Sequence, residues 1–211
     1  MNRLLLSALL FISACAPIQK ATTTTPQVIS LHTSPATQPW LAKAYTCAEG
    51  LGLVLSNVND QKNADISIQL GEPDSLTSPA YQIDKEDLLV VTNHESPLEN
   101  LTKEETRNLF THPDFQAVEV WVFAPGEDIQ QVFSRETLGG QVVTSLARVA
   151  LNPQQMVTTL GNDKKRAGLL PRHLLNASLH EIFSIPGIPV LAIVKTEPQG
   201  LTREMLACLQ K

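Results

Sequence analysis

Apolar and polar positions are most clearly segregated between residues 87 and 110. Residues 88–91 (Leu-Leu-Val-Val) form an apolar run bounded by polar residues. A run this short is typical of a strand buried on both faces, as in a parallel sheet under helices. A polar turn that contains Pro97 follows, and Thr102 with Glu105 then matches the capping box that opens many helices. The pattern therefore predicts a strand, a connection and a capped helix.

The rest of the chain continues this alternation of strands and helices. We predict further strands at residues 27–31, 53–58, 66–70, 118–123, 167–170 and 188–195, and helices that begin near Pro39, Ile129, Asn152 and Leu201. Residues 71–79 are rich in Gly, Pro and Ser and are predicted as a loop. The series indicates an α/β fold.

The first residues of the chain differ in pattern from the rest. Arg3 precedes an apolar run at residues 4–12 that is too short to span a bilayer, and small residues follow before Cys15. This resembles a bacterial lipoprotein signal, so we expect residues 1–14 to be removed and Cys15 to carry lipid. Residues 15–26 are expected to be a flexible tether. The alternative is an ordinary secretory signal with a chance cysteine.

Composition and charge exclude several functions. The formal net charge of -5 argues against a nucleic-acid partner, because a surface that binds phosphates is normally basic. The five histidines are scattered singly, and the sequence has no nucleophile-elbow, zinc-protease or P-loop motif. We therefore expect no catalytic residues, no metal and no cofactor. A hydrolase on an α/β scaffold is the least favoured alternative.

The stretch that contains the capped helix resembles the phosphate-type periplasmic solute-binding proteins. The resemblance rests on V-V-x-N ending at Asn93, S-P at Pro97, L-T at Thr102, F-T at Thr111 and the later run AGLLPRHLL. It implies an α/β, two-lobed type II fold in which each lobe is a mixed or parallel sheet flanked by helices. Lobe one is expected at about 27–91 plus 176–211, and lobe two at about 92–175. The hinge is expected at Thr92, Asn93 and Asn176, and the protein is expected to be a monomer.

The resemblance also indicates where a solute would lie. In open α/β sheets, ligands bind beyond the carboxyl ends of the strands. The candidate ligand-binding residues there are Thr33, Ser34, Thr37, Gly71, Glu72, Gly126, Glu127, Ser134 and Arg135. Each has a simpler explanation, because these residues also cap helices and form turns.

One segment departs from the family pattern. Phosphate binders carry an S-G-T-R-like run at a helix start, whereas this chain has Gly126, Glu127 and Asp128. Two carboxylates would repel phosphate. The chain is therefore expected either to bind a different solute or to have kept the fold and lost the ligand.

Cys47 and Cys208 remain as an even pair once Cys15 is assigned to lipid. Both lie on apolar helix faces, and the resemblance implies that their helices are neighbours in lobe one. A disulfide is expected, and two buried free thiols are the alternative.

These expectations lead to two main hypotheses of function. In the first, a lipoprotein on the outer face of the cell membrane captures a small solute, for which an anionic (phosphate-like) one is a candidate, and delivers it to an ABC permease. In the second, the same fold has lost its transport ligand and acts as an envelope adaptor or sensor.

Overall fold

The computed structural model describes residues 26–112 and 118–211. The predicted signal peptide, the predicted lipid-bearing Cys15 and nearly all of the tether lie outside these residues. The strands are β1 (Val28–Thr33), β2 (Val54–Asn57), β3 (Ile66–Leu70), β4 (Ala80–Asn93), β5 (Glu119–Val122), β6 (Arg148–Val149), β7 (Arg166–Pro171) and β8 (Leu179–Val194). The helices are α1 (Gln38–Gly50), α2 (Lys103–Thr111), α3 (Asp128–Phe133), α4 (Pro153–Gly161) and α5 (Gly200–Leu209).

The strands form one eight-stranded mixed sheet in the order β2-β1-β3-β8-β4-β7-β5-β6. Strand β1 is parallel to β2 and β3, and β5 is parallel to β6 and β7. Strand β8 is antiparallel to β3 and β4. The predicted α/β class is confirmed. The molecule has two halves, one containing β1, β2 and β3 and the other containing β5, β6 and β7. The sheets of the two halves are continuous, because β4 and β8 lie between them and pair along nearly their whole lengths.

The β4–β8 ribbon is the connection between the two halves of the molecule. Residues 80–84 of β4 lie beside the part of β8 that pairs with β3, and residues 88–92 pair with β7. The register of the ribbon shifts at three places, one of them between Glu86 and Leu88. The change of neighbours therefore coincides with a register shift. The predicted lobe boundaries, near residues 91–92 and 175–176, stay a prediction.

Local sequence explains where the helices begin. Thr102 Oγ1 accepts a hydrogen bond from the main-chain N–H of Glu105, and the Glu105 carboxylate accepts from the N–H of Thr102, so the predicted capping box of α2 is present. At α4, Asn152 accepts from the N–H of Gln155, and Pro153 occupies the first turn.

The core follows the apolar runs that the sequence predicts. Residues 88–91 are almost completely buried, as expected for a strand covered on both faces. Helices α1 and α5 pack together and are joined by a disulfide between Cys47 and Cys208, whose Cα atoms are 5.9 Å apart. The expected disulfide is therefore present. Among the described residues, no helix is long and apolar enough to cross a membrane.

Candidate functional site

A cavity of about 520 Å³ opens beyond the carboxyl ends of β1, β2 and β3 and faces the start of α3. This position is the one at which open α/β sheets bind ligands. We call it the β1–α3 cleft. Four predicted ligand-binding residues line it, namely Thr33, Ser34, Gly126 and Glu127. It is also lined by His32, Pro35, Gln38, Asn57, Val58, Asn59, Asp60, Gln61, Gln69, Pro73, Asp128 and Gln131.

The loop after β1 forms one wall of the cleft. The main-chain N–H of Ser34 donates to the Ile68 carbonyl at 3.0 Å, which fixes the loop against β3. Thr37 is fully buried, and its hydroxyl donates to the same carbonyl at 2.9 Å. Thr37, a predicted ligand-binding residue, therefore lies behind the cleft and holds the loop in shape. Ser34 remains the residue whose hydroxyl is turned towards the opposite wall.

Asp128 forms that opposite wall, at the first residue of α3. Its Oδ2 accepts a hydrogen bond from the Ser34 hydroxyl at 2.5 Å and another from the Leu70 N–H at 2.7 Å. Its Oδ1 accepts from the Ile129 N–H at 2.8 Å. Only 9% of the residue is exposed. The Asp128 carboxylate therefore links α3, the end of β3 and the loop after β1.

Burial and neighbouring charge perturb three titratable groups of the cleft. Burial raises the pKa of Asp128, and the hydrogen bonds from Ser34, Leu70 and Ile129 oppose the rise. Burial, followed by the charge of Asp128, raises the pKa of Glu127. Burial also lowers the pKa of His32, against the attraction of Asp128 and Asp60. His32 is therefore neutral at neutral pH.

Amide side chains supply much of the remaining lining. The Gln38 amide donates to the Thr33 hydroxyl at 3.0 Å, and the Gln61 amide donates to the Gln69 side chain at 2.9 Å. The Gln131 amide donates to the Gly126 carbonyl at 3.2 Å. These side chains both donate and accept hydrogen bonds, so the cleft can recognise a polar solute from several directions.

The other predicted ligand-binding residues lie outside the cleft lining. Gly71 packs against Val132 of α3. The Arg135 guanidinium donates to the Glu72 carbonyl at 2.9 Å and pairs with Glu136 at 3.1 Å. Ser134 and Arg135 line a separate groove beside β5 and β6. The structure thus brings together four of the nine predicted residues. Gly71, Glu72 and Arg135 join the α3 side to the loop after β3, whereas Thr37 supports the loop after β1.

The predicted hinge residues lie at the end of the ribbon where β4 ends and β8 begins. The Thr92 hydroxyl donates to the Arg166 carbonyl at 2.7 Å, and the Asn93 amide donates to the Gly161 carbonyl at 2.6 Å. Asn176 lies in the turn before β8, where its Oδ1 accepts from the N–H and hydroxyl of Ser178. A hinge at these residues stays a prediction.

Sequence reasoning missed several lining residues. The sequence placed Asp128 with Gly126 and Glu127 at a helix start across the cleft but did not predict its hydrogen-bond partners, and His32 was expected to be an isolated histidine. Neither residue has a sequence neighbour that identifies its partners, since those partners come from other elements. Within residues 26–112 and 118–211, no group of three or more His, Cys, Asp and Glu side chains is placed to hold a metal ion.

Comparisons with known proteins give structural matches only. No family model matches the sequence, and no curated protein matches it. A phosphate transport receptor of ABC type from Vibrio cholerae matches with a TM-score of 0.64 at 15% identity, over 88% of this chain and 94% of that chain. A putative phosphate ABC transporter substrate-binding protein from Clostridium perfringens, with bound phosphate, matches with a TM-score of 0.75 at 11% identity, over 87% and 93%.

Regulatory domains share the same architecture. The regulatory domain of a LysR family regulator from N. meningitidis matches with a TM-score of 0.62 at 14% identity, over 87% of this chain and 93% of that chain. At these identities the likeness concerns the fold alone, and one fold serves transport receptors and regulators alike. The chain has the mixed α/β architecture of the type II periplasmic-binding-protein-like folds.

Proposed function

We propose that the chain is an exported solute-binding lipoprotein that captures a small polar solute in the β1–α3 cleft and delivers it to an ABC permease. The observation that carries the proposal is the cleft itself, a polar cavity of about 520 Å³ at the position where such sheets bind ligands. The structural likeness to the phosphate transport receptor from Vibrio cholerae and to the putative phosphate ABC transporter substrate-binding protein from Clostridium perfringens adds the transport context by analogy.

Capture would use the two halves of the molecule. The cleft has walls from both sides, since Ser34 follows β1 in one half and Glu127 precedes α3 in the other. The β4–β8 ribbon joins the halves, so a bend in that ribbon would open or close the cleft. A solute that contacts both walls would favour the closed form.

A thermal-shift screen of the chain from Ala16 onwards tests this function. A solute present at 100 times its dissociation constant should raise the free energy of unfolding by about 2.7 kcal/mol, a shift of a few degrees. We expect a saturable shift with one class among sugars, amino acids, amines and oxyanions. Glu127→Gln should weaken that shift, whereas Glu204→Gln, on the exposed side of α5, should leave it unchanged. No shift with any class would contradict the proposal.

The lipid anchor is a separate part of the proposal. Cleavage before Cys15 and acylation of its thiol would hold the domain on the outer face of the cell membrane. Cells labelled with a palmitate analogue should show label on the wild-type chain and none on Cys15→Ser, which should also be released from the membrane fraction. Equal labelling of both proteins would contradict the anchor.

The adaptor hypothesis remains the second candidate, and one observation favours it. Asp128, at the start of α3, already accepts hydrogen bonds from Ser34 and Leu70 in the half that contains β1 and β3. Arg135, which follows α3, donates to the carbonyl of Glu72 in the same half. Such contacts suit a protein whose two halves keep a fixed arrangement. Small-angle scattering across the same solute panel separates the two functions, because a transport receptor should change its radius of gyration with its solute and an adaptor should not.

A further inference from the structure

Donors from three segments of the chain meet at the carboxylate of Asp128. The Ser34 hydroxyl and the Leu70 N–H donate to Asp128 Oδ2 at 2.5 and 2.7 Å, and the Ile129 N–H donates to Oδ1 at 2.8 Å. Hydrogen bonds to a charged acceptor are short and strong, and these distances fit that class. The cluster lies at the inner surface of the β1–α3 cleft.

The same donors would suit an anionic solute. A hydroxyl and two main-chain N–H groups that point at one place form a concave site for negatively charged oxygen. The Asp128 carboxylate is itself such a group, and it is covalently part of the chain. Its local concentration at these donors is therefore far higher than that of a free anion.

The charged residues around the cluster also disfavour the binding of a free anion. Of the described residues, no Lys or Arg lines the cleft, whereas Asp60, Glu127 and Asp128 all do. Asp60 uses both carboxylate oxygens on its own turn, with Lys62 and Asn63. A second negative group brought to the Ser34 hydroxyl would meet repulsion from all three carboxylates in a partly desolvated space.

We infer that Asp128 is a built-in carboxylate that occupies the anion-binding donors of the cleft, so that the cleft excludes oxyanions and takes a neutral or positively charged polar solute. This inference rests on the proposed function, because it names the class of solute for the same cleft. Asp128 is then the residue that determines specificity. The solute would instead bind to the amide side chains and to the Glu127 carboxylate.

Calorimetric titration of the full chain in detergent with inorganic phosphate and with sulfate tests the inference. Wild type should give no saturable heat with either anion. Asp128→Ser shortens the side chain and frees the three donors, so phosphate affinity should rise about tenfold or more above the wild-type value. In Asp128→Ser, the further change Ser34→Ala removes one donor and should reverse most of the gain.

Two matched controls separate occupation of the donors from general repulsion. Asp128→Asn removes the charge but keeps a planar group of the same size at the donors, so it should gain little phosphate affinity. Glu127→Gln removes a charge of the cleft wall and leaves the donors occupied, so it should also gain little. Equal gains in Asp128→Asn and Asp128→Ser would overturn the claim of occupation.

The wild-type protein keeps the inference testable even if Asp128→Ser does not fold. Saturable binding of phosphate or sulfate to wild type overturns the inference while it supports the proposed function. A folded Asp128→Ser protein that gains no phosphate affinity also overturns it. A gain in Asp128→Ser together with no response of wild type to any sugar, amino acid or amine supports the inference about Asp128 and contradicts the transport function.

Discussion

The Asp128 carboxyl group is buried at the start of α3, and burial raises its pKa although three hydrogen bonds oppose the rise. An acid whose pKa is raised on folding binds its proton more tightly in the folded state. The folded state is therefore favoured at low pH and loses stability as pH rises from the ordinary pKa of 3.8 through the higher folded value.

Replacement of Asp128 by Asn isolates this effect. We expect the difference in free energy of unfolding, wild type minus Asp128→Asn, to fall as pH rises through that interval and to be level on either side of it. Urea denaturation at a series of pH values measures it. The comparison is made with Glu127→Gln and His32→Gln in both proteins, because the charge of Asp128 raises the pKa of both groups. The remaining carboxylates are then common to both proteins and cancel, so parallel curves would contradict the expectation.

At the residue scale, the sequence predicts the chemistry of this cluster better than its geometry. The acidic start of α3 and its conflict with phosphate follow from the order Gly126, Glu127, Asp128. The partners of Asp128 do not, because Ser34 and Leu70 are 94 and 58 positions away in the chain. Only the packing of α3 against the end of β3 brings them within hydrogen-bonding distance.

At the element scale, that packing depends on Gly71, which directly follows β3. Its φ of 73° lies in the left-handed region, and a Cβ atom placed on it would lie 2.5 Å from the Val132 side chain of α3. A side chain here would strain the backbone and push α3 away from the sheet. The residue was predicted as a ligand-binding position, and its visible role is to allow this close approach.

We expect Gly71→Ala to lower the free energy of unfolding by about 1–3 kcal/mol, because it adds both strain and overlap. Urea denaturation followed by circular dichroism measures the change. Gly50→Ala is the matched control, since a Cβ there has open space and an unstrained helical backbone. Its stability should be unchanged or slightly raised. Equal stability of Gly71→Ala and wild type would show that α3 adjusts without cost.

Strands β4 and β8 are both longer than the sequence pattern predicts. The apolar run at residues 88–91 predicts only the centre of β4, which extends over Ala80–Asn93. The polar part of β4 contains Asp84 and Glu86, whose side chains bond to Trp40 and His173 from distant elements. Strand β8 continues through Pro186 and Gly187, residues that normally interrupt strands. Tertiary pairing with β4 overrides both local signals.

At the scale of the whole molecule, the Cys47–Cys208 disulfide joins the first helix to the last across 161 positions. Such a bond limits the freedom of the unfolded chain, and a loop of this length corresponds to about 5 kcal/mol in the chain-entropy model. The paired replacement of Cys47 and Cys208 by Ala should lower the free energy of unfolding by that amount. Reduced wild type should show a similar loss, and a loss below about 1 kcal/mol in both would contradict the entropic account.

The order of elements along the chain was predictable because each βα step carries its own local signals, such as the capping box at Thr102 and the Asn152-Pro153 start of α4. The joining of the two halves into one sheet could not be predicted from the sequence, because it depends on the long-range pairing of β4 with β8. The residue pattern of a single strand that is buried on both faces does not show which distant strand it pairs with, or in which register.

The disulfide also determines whether proteolytic cleavage of the chain separates it into two molecules. Cys47 and Cys208 close most of the described chain into a covalent ring, and all of lobe two as predicted, residues 92–175, lies within it. A protease that nicks the ring once, in any of its loops, opens the ring without dividing the molecule. Both products then migrate as one species in electrophoresis until a reductant separates them, so a nicked chain would stay in one piece as long as the disulfide is intact.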